Sequence, residues 1–195
     1  VQRFKISALD QYENPLPPKE YSYILTSQSE AGEIDEDGNF TAGNKAGTFP
    51  GAVTVQITQG IESTTATAEL TIKPGPLDHV SIFPAPRDSV YPASGTVRAG
   101  QTQRFNATGF DRFDNPISGL EYVFSVKEEA GRIDSGGSFT AGTTSRTYPG
   151  ALSVRVSQGS IFKSSEMNIS VKPGPLHHVT LAPTNPTIIL GQEQR

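Results

Sequence analysis

The chain is written in short alternations of apolar and polar residues. In the clearest one, Val53, Val55 and Ile57 alternate with Thr54, Gln56 and Thr58. A period of two with one apolar side predicts a half-buried strand of an antiparallel sheet. The pattern returns 99 residues later as Leu152, Val154 and Val156 between Ser153, Arg155 and Ser157. Other alternations come in pairs too: Phe4, Ile6 and Ala8 within 1–9 with Phe105, Ala107 and Gly109; Tyr21, Tyr23 and Leu25 with Tyr122, Phe124 and Val126; Ala68, Leu70 and Ile72 with Met167, Ile169 and Val171. Leu77, Val80 and Ile82 open a further strand, and Leu176, Val179 and Leu181 match it. Glu36-Asp37-Gly38 and Ser135-Gly136-Gly137 are Gly-bearing tight turns between β-type runs, hence hairpins. They put Ile34, Phe40, Ile133 and Phe139 at buried positions. No helical period of any length is present.

The pairing is a tandem repeat, which has to be recognised before any local pattern is read. From Ala31 to Pro84 every residue pairs, without a gap, with the residue 99 places on, and 24 of these 54 pairs are identical. Lys73-Pro74-Gly75-Pro76 and Lys172-Pro173-Gly174-Pro175 stand at the joints. Two prolines lack backbone donors and the glycine has no side chain to pack, so neither stretch continues a strand. The expected organisation is 1–74, a repeat without its first strand; 75–173, a complete repeat; and 174–195, the first strand of a further one. About seven short strands in roughly 95 residues predict an all-β chain of tandem immunoglobulin-like sandwiches.

Composition narrows the function classes. The net charge of −4 provides no basic footprint for nucleic acid. No apolar run reaches the roughly 18 residues of a membrane span. With no cysteine, neither disulfides nor thiolate metal sites contribute. Val1 and the absence of a charged-then-apolar leader give the chain the look of an excised or processed piece.

The ordered motifs resemble the tandem bacterial immunoglobulin-like domains of invasin and intimin. The resemblance rests on the Asp-x-x-x-Asn-Pro turns at 10–15 and 111–116, the Gly-x-Ile-Asp-x-x-Gly-x-Phe-Thr-Ala-Gly blocks at 32–43 and 131–142, and the Ala-Val-Thr-Val and Ala-Leu-Ser-Val strands. Invasin-type domains usually have Gly just before the Asn-Pro, where this chain has Glu13 and Asp114. The resemblance implies a sandwich fold, an extracellular or cell-surface setting (bacterial or archaeal) and an array-forming role. It implies no catalytic residues and no cofactor.

Candidate chemistry is sparse. His79 and His178 occupy equivalent positions, with His177 beside the latter, but no second ligand cluster accompanies them for zinc. Asp35-Glu36-Asp37-Gly38-Asn39 imitates the start of a calcium loop, yet its counterpart Asp134-Ser135-Gly136-Gly137-Ser138 drops most of the oxygens. Asp10, Glu13 and Asn14, matched by Asp111, Asp114 and Asn115, form a weak calcium candidate beside the default of a self-bonded turn. No nucleophile–base pattern is present, so no enzymatic activity is expected. Asn39, Asn106 and Asn168 begin Asn-x-Ser/Thr triplets, which matter only in a host that glycosylates them.

Two functions compete: a structural spacer or stalk of a surface or secreted protein, such as an adhesin, and a carbohydrate- or ligand-binding accessory module of a secreted enzyme. The second needs an exposed aromatic platform, for which Tyr12 and Phe113 are the repeated candidates. The expected partners of the spacer are neighbouring repeats of the same or an identical chain, with a surface glycan or protein as a further possible ligand. At the C-terminus Leu176, Val179, Leu181, Ile188, Ile189 and Leu190 form an opening strand with no sandwich of its own. Such a strand can add to the first repeat of another molecule, head to tail.

Overall fold

The computed structural model describes residues 2–85, 95–182, 184–185, 187 and 189–191. The fold is all-β. In the first half, β1 (Gln2–Arg3), β4 (Asn39–Ala42) and β3 (Gly32–Ile34) form one sheet. β2 (Ser22–Ser27), β5 (Gly47–Gln59) and β6 (Glu62–Ile72) form the facing one. Ala31, Phe40, Phe49, Ala52 and Val53 are buried between them.

The second half carries the fuller version. β7 (His79–Pro84) lies along β9 (Thr102–Phe110). On the other edge of β9 come β10 (Pro116–Ile117) and β13 (Ser138–Ala141), followed by β12 (Gly131–Ile133). The facing sheet runs β11 (Glu121–Val126), β14 (Thr147–Gln158), β15 (Ile161–Lys172) and β8 (Thr96–Arg98). Only the β15–β8 pairing is parallel among these strands. A β7-β9-β13-β12 sheet facing a β11-β14-β15 sheet is the immunoglobulin-type strand arrangement. Its core holds Phe105, Phe139, Leu152 and Ile169, all fully buried. A second cluster, Leu77, Val80, Ile117, Val154 and Val156, closes one end.

Local chemistry explains the long strands. β5 slips register between Phe49 and Val53, and β14 slips at the equivalent Tyr148 and Leu152. Pro50-Gly51 and Pro149-Gly150 fill these bulges, with Gly51 at φ 64° and Gly150 at φ 53°. A bulge accommodates both a proline without a donor and a residue in the left-handed region. Beyond the bulge the expected register holds: Val154 is fully buried while Arg155 points out, its guanidinium 4.3 Å above the Phe162 ring.

Two expectations need correction. The strand expected over 1–9 forms a ladder only at Gln2–Arg3, with a single bridge from Leu9 to Pro15, although Phe4 and Ile6 are half-buried and Ala8 is buried. The reason is visible in the second half, where β7 supplies the ladder partners of Phe105 to Phe110. The equivalent residues of the first half have no strand beside them among the described residues. Tyr23, expected inside, is 45% exposed, and its hydroxyl donates to the Glu36 carbonyl over 3.1 Å. A tyrosine at a sheet edge keeps its polar tip in contact with water and backbone.

Candidate functional site: the joint and the open groove

The two Asp-x-x-x-Asn-Pro turns are built alike. The Asp10 carboxylate accepts from the backbone N–H groups of Tyr12 and Asn14, each at 2.8 Å, and from the Asn14 amide at 3.0 Å. Asp111 accepts from Phe113 N–H at 2.9 Å, Asn115 N–H at 3.0 Å and the Asn115 amide. Asp is suited to this because its short carboxylate reaches the backbone two to four residues on. Glu13 and Asp114 complete the turns in the left-handed region, at φ 66° and 63°.

What differs is the neighbour. In the second half the turn is wedged against the first half and the linker. Gly75 N–H donates to Asp111 Oδ2 at 2.8 Å. Asn115 receives the N–H of Ala46 on Oδ1 at 2.9 Å and donates its amide to the Asn44 carbonyl at 2.8 Å. One asparagine thus binds a donor and an acceptor of the other half, and its own turn holds it in place. Asp111 is 2% exposed. Burial alone would raise its carboxyl, but the Asn115 amide and the N–H groups of Gly75, Asn115 and Phe113 outweigh burial and hold it at about 2. Asp10 is lowered too, by the Asn14 amide first and then by backbone N–H groups.

The joint also anchors β7. Leu77 N–H donates to Gln158 Oε1 at 2.7 Å, and Asp78 N–H to the Phe110 carbonyl at 2.8 Å. The His79 ring stacks on Phe110 with centroids 5.3 Å apart, and its Nε2 lies 3.2 Å from Asp114. Asn44, Ala46, Gly75 and Gln158 take part here although sequence reading did not single them out as site residues. The available signal was the identity of Gln59 and Gln158 and of the two Pro-Gly-Pro stretches; the backbone partners at 44 and 46 leave no side-chain signature.

Of the calcium candidates, Asp10 and Asp111 have carboxylates that already accept several N–H bonds. Asp35 and Asp134 are used in the same way, accepting from Asn39 N–H and Ser138 N–H, each at 2.8 Å. Among the described residues no group of three or more His, Cys, Asp or Glu side chains is arranged to hold a metal ion. Tyr12 is 75% exposed at one end of the first half. Phe113 lines the cleft at the joint, with the Arg112 guanidinium 4.4 Å above its ring. The two aromatics belong to turns one repeat apart and form no common platform. Asn39 and Asn168 use their side chains internally, to Asp35 at 2.9 Å and from Gly150 N–H at 2.7 Å.

The first half has an open groove where the second has β7. Two adjoining clefts of about 230 and 330 Å³ run along residues 4–9, with Val55, Ile57 and Ala66 as their floor. At the other end Leu176, Val179, Leu181, Ile189 and Leu190 are 75% exposed or more. Ile188 lies outside the described residues.

No family model matches the sequence, and no curated protein matches it. Solved structures are similar to it at low identity. Human protocadherin-24 EC1-2 covers 89% of this chain and 90% of its own at 15% identity and a TM-score of 0.41. The Escherichia coli adhesin FdeC covers 83% of this chain and 56% of its own at 20% identity and a TM-score of 0.37. Drosophila N-cadherin EC1-4 covers 80% of this chain and 41% of its own at 16% identity and a TM-score of 0.42. These likenesses are too distant to carry function.

Proposed function

We propose that the chain is a spacer segment of a cell-surface or secreted protein. Residues 1–74 and 75–173 act as stacked sandwiches, and 174–195 begins a third. The observation that carries this reading is the joint. The Asn115 side chain bonds Asn44 and Ala46 across it, and buried Asp111 binds the linker at Gly75. A short Pro-Gly-Pro linker already limits bending, and these contacts fix the direction in which one sandwich leaves the next. A stalk needs that property; a catalyst does not, and a glycan-binding module would need an aromatic platform that Tyr12 and Phe113 do not make.

The test is a distance measurement. The chain has no native cysteine, so spin labels at Thr65→Cys and Ser164→Cys report only the relation of the two halves. A single narrow distance distribution is expected, broadening in Asn115→Ala. A distribution that is already broad in the unsubstituted joint would overturn the spacer reading.

A further inference from the structure

We propose that the outer edge of β2 pairs with β2 of a second copy of this chain, antiparallel about a two-fold axis, so that two molecules join side by side. The inference goes beyond the spacer reading, which concerns one chain. β2 ends its sheet, with β5 on one side and no strand on the other among the described residues. That edge is a property of the fold, because β11 ends the equivalent sheet of the second half in the same way. Edge strands are normally protected by shortness, charge or proline. The other outer strands each have such a device: β1, β3, β8, β10 and β12 are two or three residues long, β6 carries Glu62 and Glu69, β7 ends in Pro84 and β11 begins with Glu121. β2 is six residues long and reads Ser-Tyr-Ile-Leu-Thr-Ser, with neither charge nor proline. Its Ile24 is 63% exposed.

The backbone fixes which residues can meet. Gln28, just past the end of β2, donates its N–H to the Ala52 carbonyl at 2.9 Å, in step with the β2–β5 register. Backbone groups alternate in direction along a strand, so Thr26, Ile24 and Ser22 also turn theirs towards β5. Those of Tyr23 and Leu25 point away from the sheet. An outward group pairs only with another outward group, so odd-numbered residues must face odd-numbered ones. For two identical antiparallel strands this puts the two-fold through a residue and not between two.

Ile24 is that residue, because it is the exposed apolar side chain at the middle of the strand. It then meets Ile24 of the second copy as a pair without hydrogen bonds, the closer kind, with Cα atoms about 4.5 Å apart. Tyr23 lies opposite Leu25 of the second copy, and Ser22 opposite Thr26. The incoming Leu25 enters the cleft of about 460 Å³ that Tyr23 shares with Ile34 and Glu36. The flanks suit a second copy as well. In this register Lys19 faces Ser29 and Glu20 faces Gln28, so no like charges stand opposite each other, an arrangement that would oppose pairing. The two three-stranded sheets become one of six, in the order β6-β5-β2-β2-β5-β6. A two-fold contact uses the same patch on both molecules and therefore closes at the dimer.

The experiment is sedimentation velocity over a concentration series of the 195-residue chain, with charge and cysteine variants to read the register. A monomer–dimer equilibrium is expected. Ile24→Lys and Ile24→Glu, each at an exposed position, leave the chain folded and each weaken the dimer at least roughly 10-fold, because like charges then meet across the two-fold. Mixing the two variants restores the dimer, which a folding defect could not do. The chain has no native cysteine, so Ile24→Cys gives a disulfide-linked dimer, its two copies lying within disulfide reach. Ser22→Cys does not, since its copies stand four residues out of step. A chain that stays monomeric at every concentration, a mixture that fails to restore the dimer, or cross-linking as efficient at Ser22 as at Ile24 would each overturn the proposal. None of these results touches the spacer reading, which the label distances across the joint decide separately.

Discussion

The two halves of the chain share most of their core positions, yet one is closed and the other is open. Val154 and Val156 are fully buried, while their equivalents Val55 and Ile57 are only half-buried. The cluster of Leu77, Val80 and Ile117 over Val154 and Val156 has no counterpart in the first half. Both halves have the hairpin, the bulge at Pro-Gly and the long β5–β6 or β14–β15 ladder. β8 and β10 also lack counterpart strands among the described residues of the first half, but the strand that closes the groove is β7. It converts β9 from an edge into an interior strand and seals the apolar face that the first half leaves as a groove. Closure of this sandwich is thus a property of the segment after the Pro-Gly-Pro joint, not of the residues that make up the two sheets. An exposed edge with an apolar floor is a site for strand pairing, which is the liability that edge strands carry in general.

The sharpest way to break the comparison is at that strand. Leu77→Ala should cost about 2–5 kcal/mol, the range for a buried leucine truncated to leave a cavity. Leu176→Ala, at the equivalent but exposed position, should stay within about 0.5 kcal/mol in the single molecule. Urea unfolding at low protein concentration, with hydrogen exchange read separately over 2–72 and 79–172, would show it. Equal costs would mean that β7 does not close the second half.

Next comes the joint. Asp111→Ala leaves several N–H donors without their acceptor and should cost about 1–3 kcal/mol. Asp10→Ala should cost less, because Asp10 has no linker N–H to hold. The same contrast appears in acid. Asp111 has its carboxyl held at about 2, below the ordinary 3.8. A carboxyl depressed by folding contributes stability above its ordinary value and loses it as pH falls towards the folded one. The second half should therefore lose stability between about pH 4 and pH 2, and Asp111→Ala should flatten that slope. An unchanged slope in the variant would move the acid sensitivity to other carboxylates.

The floor of the groove offers a third contrast. Val154→Ala should cost about 1–3 kcal/mol and Val55→Ala less than about 1 kcal/mol, since only the first has a full shell of neighbours to lose. Arg155→Ala, on the outer face of the same strand, should cost about 0.5–1 kcal/mol through its contact with the Phe162 ring.

Much of this was legible in the sequence. The period-two alternation and the 99-residue spacing are enough to place the long strands, the hairpins and the inward side of β14. They are enough because a half-buried strand imposes its pattern residue by residue. The phase of the repeat shows 1–74 without its first strand, but the alternation of residues 4–8 does not by itself show that they go unpaired. Their alternation is that of a strand, but a ladder also needs a partner, and the partner of the equivalent residues comes from the segment after the joint. The Asp10 and Asp111 turns were readable as turns. Their role in the joint was not, since Asn115 contacts the backbone of Asn44 and Ala46, and a backbone group carries no mark in the sequence. Exposure of Tyr23 escaped for a related reason: it follows from what lies beside the strand rather than from the strand itself.

The smallest expected effect tests the turns that both halves share. Glu13 and Asp114 hold φ near 65°, where a Cβ crowds the following carbonyl oxygen. Glycine has no such penalty but loses more backbone freedom on folding, so the net gain from Glu13→Gly is about 0.5–1 kcal/mol at most. Asp tolerates the left-handed region better than Glu, and Asp114→Gly also removes the contact with His79, an exposed pair worth little. The gain should therefore be larger at Glu13 than at Asp114, the reverse of the ranking at every buried position, where the second half is the more sensitive. Thermal melts of the two variants beside the parent chain decide it. A loss of stability in both would mean that the turns depend on the Glu13 and Asp114 side chains. The Asp10 and Asp111 hydrogen bonds would then not be enough to hold the left-handed residue in place.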